Sequence, residues 1–182
     1  MILHVANLGH PVLRRRAEPI SEEELKSPRF QAFLDDLVES MRFHDGVGLA
    51  APQVFQSVRA VAVWVPPEMD EEGGGLEAAA YVNPEISLLG DEQELGLEGC
   101  LSLKDLRGLV PRHRRIQLRA LDRHARPLEL KLAGFPARVF QHELDHLDGI
   151  VFTDRMEDMS TLVFAAELER YGIPGMEDEE PA

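Results

Sequence analysis

The segment Gln141-His142-Glu143-Leu144-Asp145-His146 constrains this chain more than any other. Its two histidines are four residues apart, so on a helix they share one face about one turn apart. Both imidazoles can then reach a single metal ion, with Glu143 placed to touch a water on that ion. This is the H-E-x-x-H spacing of a metal-hydrolase helix. A surface helix carrying solvated His and Glu side chains produces the same letters, so other stretches must weigh in.

With 182 residues the chain fits a single catalytic domain, 1–182, in which about 68–70% of the unfolded surface can be buried. A formal net charge of −14 argues against nucleic-acid binding, which normally needs a basic face. The acid collects at Glu22-Glu23-Glu24, Asp70-Glu71-Glu72 and Glu177-Asp178-Glu179-Glu180, which read as solvated loops or ends, and 172–182 reads as a flexible acidic tail. No apolar run approaches the ~20 residues that span a bilayer, so no membrane partner is expected. Met1 to Asn7 lacks the basic flank and apolar core of a secretory signal, which gives the cytoplasm as the expected location.

The chain opens with an extended arm, Val5 to Arg16, turning around Gly9-His10-Pro11. Ser27 is a good N-cap and Pro28 suits the first helical position. Phe30, Phe33, Leu34, Leu37, Val38 and Met41 then make a core-facing stripe that Gly46 can end. Gly46 to Gln53, rich in glycine and alanine, reads as a helix-to-strand connection. Val58 to Val65 is β-branched and apolar, hence a strand, and Tyr81 to Pro84 and Ile86 to Leu89 read as short strands interrupted by proline. Gln93 to Leu97 and Gly108 to Val110 are extended. Ile116, Leu118 and Ala120, then Leu128, Leu130 and Leu132, alternate with polar residues and predict a hairpin. The motif helix follows Gly134-Phe135-Pro136 and closes at Gly149, and a last helix is expected over Ser160 to Tyr171 with Ser160 as N-cap. The fold class is therefore α+β: mostly antiparallel sheets around a central metal-binding helix, with an N-terminal and a C-terminal helix.

A catalytic site of this type needs three protein ligands and an open position. A third histidine six residues after His146 is excluded, because Phe152 stands there. Glu167 is one candidate, as in a thermolysin-like site, and Cys100 is the other. Cys100 is the chain's one cysteine and cannot form an intramolecular disulfide. A Cys/His/His set is a known catalytic composition, and thiolate softens the site toward Fe, Zn or Co.

Three stretches, Gly46-Val47-Gly48-Leu49-Ala50-Ala51-Pro52-Gln53, Glu98-Gly99-Cys100-Leu101-Ser102 and Gln141 to His146, resemble the three signature motifs of the peptide deformylases in that family's order. Pro11-Val12-Leu13-Arg14 and Gly149 to Arg155 are similar to it as well. The resemblance implies Cys100, His142 and His146 as metal ligands, usually for Fe(II) in the cell, with Zn, Ni or Co accommodated. It implies Glu143 as general acid/base, and Gln53 with the Leu101 N–H as oxyanion donors. Gly48 matches a backbone contact to substrate and Arg107 a substrate-contacting arginine, while Glu98 and Arg112 would pair behind the site. The implied reaction removes the formyl group from the N-terminal methionine of nascent polypeptides and releases formate. Val47, Phe135 and Val139 are expected to receive the methionine side chain, since Phe135 and Val139 fall about two turns and one turn before His142. Arg138 lies near that face, where the family usually carries an apolar residue, and is expected to snorkel outward. Family members that dock on the ribosome use a basic C-terminal helix, and the acidic tail leaves at most a transient ribosome contact here.

Overall fold

The computed structural model describes residues 1–70 and 74–173, so the tail 174–182 and Glu71-Glu72 lie outside the described residues. In chain order the elements are α1 (Glu22–Leu25), α2 (Pro28–Phe43), β1 (Gly48–Ala50), β2 (Ala60–Val65), β3 (Leu76–Leu88), β4 (Gln93–Cys100), β5 (Leu103–His113), β6 (Arg115–Leu121), β7 (Pro127–Ala133), α3 (Gly134–Leu147), β8 (Val163–Phe164) and α4 (Ala165–Tyr171). One antiparallel sheet runs β1-β2-β3-β6-β7 and a second runs β4-β5-β8. The fold is α+β. Among the described residues no helix is long and apolar enough to cross a membrane.

Strand β2 shows why the five-stranded sheet lies between two helices. Side chains alternate along a strand, and both alternations here are apolar. Ala60 and Ala62 pack toward Leu34, Leu37 and Met41 of α2, while Val61, Val63 and Val65 pack with Phe140, Leu144 and Leu147 of α3. Helix α2 starts as expected, the Phe30 N–H donating to Ser27 Oγ at 3.2 Å with Pro28 at the first position. Helix α3 buries 11 of its 14 residues, so it is covered on both sides. Phe140, fully buried, meets Tyr81 edge-on with centroids 4.9 Å apart. That anchoring turns the opposite face of α3, with His142 and His146, toward β4 and β5.

Several expectations are corrected. Residues 81–88 belong to one 13-residue strand, β3, and Leu89 follows its end. Asn83 adopts φ 49° at a register shift beside Pro84, and its side chain bonds both the N–H and the carbonyl of Ile20, so the strand passes the proline as a bulge. Glu22 to Glu24 form a helical turn capped by Ser21, not a loop. The N-terminal arm contains a 3-10 turn at Pro11–Arg14. Ser160 does not cap the last helix: Asp158 caps a 3-10 turn there, and Val163–Phe164 pair with β5 before α4 begins. Edge pairing on β5 outcompetes local helix propensity over those residues.

Candidate metal centre and active-site cleft

Cys100 ends β4, and His142 and His146 come from the second half of α3, His146 in its last turn. One ligand atom from each lies within 4.8 Å of the others. Cys100 Sγ is 3.2 Å from His146 Nε2, and the two imidazoles stand 5.0 Å apart. Cys100 is 9% exposed, His142 8% and His146 1%. The donor set fits a borderline-soft divalent cation: one thiolate and two imidazoles, gathered where water is scarce. Burial works against a charged Cys100, yet His146 and His142 beside it overturn that and hold the thiol well below its usual pKa. The thiolate is the form that binds a metal. Glu167, the rival third ligand, is exposed on α4 beside Arg170 and is not part of this cluster.

Behind His142 lies a charge network. Glu98, 5% exposed, accepts Arg112 Nε at 2.8 Å and Arg112 Nη2 at 3.0 Å, and His142 Nδ1 is 2.8 Å from its second oxygen. The expected Glu98–Arg112 pair is therefore present. It continues further than expected: Arg112 Nη1 donates to Asp145 at 2.6 Å, and Arg155 to the same carboxylate at 2.7 Å. With Nδ1 on Glu98, His142 is left with Nε2 for an ion. Phe152 stacks on the same ring, centroids 6.3 Å apart.

Burial raises the Glu98 pKa, but the hydrogen bonds from His142 and Arg112 outweigh it and hold the carboxyl down at about 2. Because this folded value lies below the ordinary 4.5, the stability it contributes is complete above the ordinary value and is lost as pH falls toward 2. Between pH 5 and 3 the metal-free wild type should lose about 2 kcal/mol more than Glu98→Gln, as read by urea unfolding. Identical losses in the two proteins would show that the pair carries no such linkage.

A cleft of about 690 Å³ opens onto these residues. Val47, Gly48, Gln53, Leu101, Arg107, Phe135 and Val139 all border it, together with Cys100, His142 and Glu143, whereas His146 lies beneath them. Gln53 is 1% exposed, and its amide is oriented: Oε1 accepts the Ala50 N–H at 2.8 Å, which turns Nε2 toward Ser102 Oγ at 3.1 Å and Cys100 Sγ at 3.5 Å. Arg107 folds back on the Leu106 carbonyl at 2.8 Å, its guanidinium over Gly99.

Glu143 is 4% exposed, and its Oε2 has no hydrogen-bond partner among the described residues. Burial pushes its pKa up to about 7 despite the nearby histidines. A buried carboxylate oxygen without a partner is costly to a folded protein and marks a group held ready for a ligand or substrate. Gly48 makes room for it, since any Cβ there would overlap the Glu143 carboxylate. Gly48→Ala should therefore displace that carboxylate and lower kcat by about 10²-fold with metal content unchanged. Steady-state kinetics beside metal analysis checks this, and wild-type kcat would sink it.

One expectation fails outright. Arg138 does not snorkel outward; it is 8% exposed, turned inward, and borders the cleft. It donates to the carbonyls of Glu94 and Val110, both at 2.7 Å, and to Glu98 Oε1 at 3.1 Å. Two backbone carbonyls and a buried carboxylate oxygen within reach of one guanidinium outweigh the gain from solvating it. The pocket wall is accordingly less apolar than its neighbours Phe135 and Val139 suggest. Sequence reasoning also passed over Ser102, Asp145 and Arg155, whose signal was only adjacency to motif residues.

A profile of the family described as Polypeptide deformylase matches residues 2–161. The chain belongs to the polypeptide deformylase family. The deformylase chain is 37% identical to Peptide deformylase 1 of Prochlorococcus marinus over 174 residues, covering 94% of this chain and 90% of that protein. With Peptide deformylase 2 of Pseudomonas putida it shares 36% identity over 181 residues, 99% of each chain. The Met-Ala-Ser-bound crystal structure of the class I type b enzyme from Acinetobacter baumannii superposes with TM-score 0.80 at 38% identity, covering 86% of this chain and 99% of that one. The Thermotoga maritima enzyme gives 0.75 at 35% identity, covering 87% and 99%. The protein is thus a hydrolase of protein biosynthesis: a deformylase that removes the formyl group from the N-terminal methionine of newly made polypeptides.

Proposed function

We propose that Cys100, His142 and His146 hold one divalent cation, Fe(II) in the cell, and that Glu143, Gln53 and the Leu101 N–H carry the chemistry beside it. The observation that supports this most is the buried Glu143 Oε2, without a hydrogen-bond partner among the described residues, next to three converging donors in a cleft. When bound, the cation supplies Lewis-acid polarisation and acidifies water. Glu143, with its pKa near neutrality, accepts a proton from the attacking water as that oxygen bonds to the formyl carbon. Gln53 Nε2–H and the Leu101 N–H donate to the oxyanion that develops, each donor worth ~3–4 kcal/mol in comparable sites. Glu143 then gives its proton to the leaving amine, the C–N bond breaks, and formate departs from a free N-terminus.

Gly48 backbone and Arg107 position the peptide, and Val47, Phe135 and Val139 take up the methionine side chain. The enzyme acts in the cytoplasm as one catalytic domain over 1–182, with no stable ribosome docking, because the chain's charge of −14 opposes contact with RNA. Anaerobic purification with metal analysis, followed by formate release from N-formyl-Met-Ala-Ser, tests the reading. One iron per chain with rapid formate release is expected. Turnover undiminished after the protein is stripped of all metal would overturn it.

A further inference from the structure

The metal ligands come from two elements that are separate in the chain, so something must set the separation of β4 from α3. Four residues of α3 reach across to the β4–β5 hairpin: Gln141 brackets the His113 backbone, Asp145 takes Arg112, His142 meets Glu98, and Arg138 does the most. Arg138 Nη2 donates to the Glu94 carbonyl at 2.7 Å, and Nη1 reaches Val110 O at 2.7 Å, Glu98 Oε1 at 3.1 Å and Gly96 O at 3.3 Å. One guanidinium thus joins the motif helix to both strands and to the carboxylate that orients His142.

A second observation is independent of those bonds. Gly96 has ordinary backbone dihedrals, so no left-handed turn calls for glycine there. What calls for it is space: a Cβ on Gly96 would stand 2.6 Å from Arg138 Cζ and Nη2. Gly96 and Arg138 are a matched pair in this chain, the missing side chain on β4 accepting the long one from α3. Arg138 lies one helical turn before His142, and Glu98 lies two residues before Cys100, so a shift of Arg138 moves both halves of the ligand set.

We propose that Arg138 is a positioning residue of the metal centre, holding β4 at a fixed separation from α3 through Glu98 and the hairpin carbonyls, so that Cys100 meets His142 and His146. This rests on the reading of those three residues as metal ligands. Arg138 acts through Glu98, the carboxylate that partners His142, and losing such an outer partner typically weakens metal affinity ~10–100-fold. The planar fork matters, because a lysine supplies the charge but cannot serve acceptors on two strands at once.

The test loads the full-length wild type, Arg138→Leu, Arg138→Lys and Gly96→Ala with Co(II). Affinity is read by chelator competition, and the sulfur bond by the thiolate-to-cobalt charge-transfer band. Arg138→Leu should bind Co(II) ~10–100-fold more weakly, with an altered band. Arg138→Lys should recover part of that loss, and Gly96→Ala, which evicts the guanidinium while keeping it in the chain, should weaken binding too. Wild-type affinity and band in Arg138→Leu overturn the proposal, even if its metal-free form melts at a lower temperature. So does a raised KM for N-formyl-Met-Ala-Ser with unaltered cobalt binding, which would make Arg138 a substrate contact. If Arg138→Leu does not fold, Gly96→Ala and Arg138→Lys decide by the same readings. A charge-transfer band that survives Cys100→Ala would instead sink the metal-site reading, leaving the two failures distinguishable.

Discussion

Glu143→Gln lowers kcat for formate release by about 10²–10⁴-fold, the contribution typical of a positioned general acid/base. The substitution keeps the shape of a 4% exposed side chain and removes its ability to take a proton, so metal content should match wild type. The same change should stabilise the metal-free protein at alkaline pH. Burial raises the Glu143 pKa to about 7 from 4.5, so the folded state binds this proton more tightly than the unfolded chain does. Stability therefore falls as pH rises from the ordinary value to the folded one, by about 3 kcal/mol in all, and a glutamine feels none of it. Activity lost and stability gained together are the signature of a group kept in an unfavourable place for its chemistry. Kinetics at saturating peptide and urea unfolding at pH 5 and pH 8 check both halves. A glutamine variant with wild-type kcat would remove Glu143 from the mechanism.

Cys100→Ala should cost more than about 100-fold in metal affinity, since losing an outer partner alone reaches 10–100-fold and here a ligand atom is gone. Activity after dialysis should fall with occupancy. Two imidazoles from one helix remain, but Sγ, 3.5 Å from Gln53 Nε2, is the donor on the Gln53 side, so a reloaded variant would hold a cation differently relative to Gln53. Glu167→Ala, on an exposed helix face, should keep its metal. Atomic emission on dialysed protein reads the outcome. A Cys100→Ala protein that retains one metal per chain would leave the ligand set wrong.

Much of this was legible in advance because it depends on near neighbours. Ser27-Pro28 and the Phe30–Met41 stripe set α2, and the 2.0 period of Ile116 to Leu132 set the β6–β7 hairpin, since caps and periodicities act within a few residues. Where a distant partner competes, local signals gave out. Pro84 suggested two strands, but Asn83 anchored on Ile20 carries β3 through it. Ser160 looked like a cap, but β5 offered Val163 and Phe164 an edge to pair with.

The chain of amino acids alone determined that two imidazoles and a carboxylate would share a helix, and that three motifs would mark one family. Residues four apart can only be neighbours on an α-helix. The tertiary structure decided which distant groups complete the set: Cys100 and not Glu167 beside the histidines, Ser102 on Gln53, and Arg138 folded inward on Glu98. The partners in those choices are roughly 40 to 50 residues apart in the chain. Their meeting depends on how two sheets close around a buried helix, where the cost of an unpaired charge or carbonyl, more than any local preference, selects the side chain that arrives.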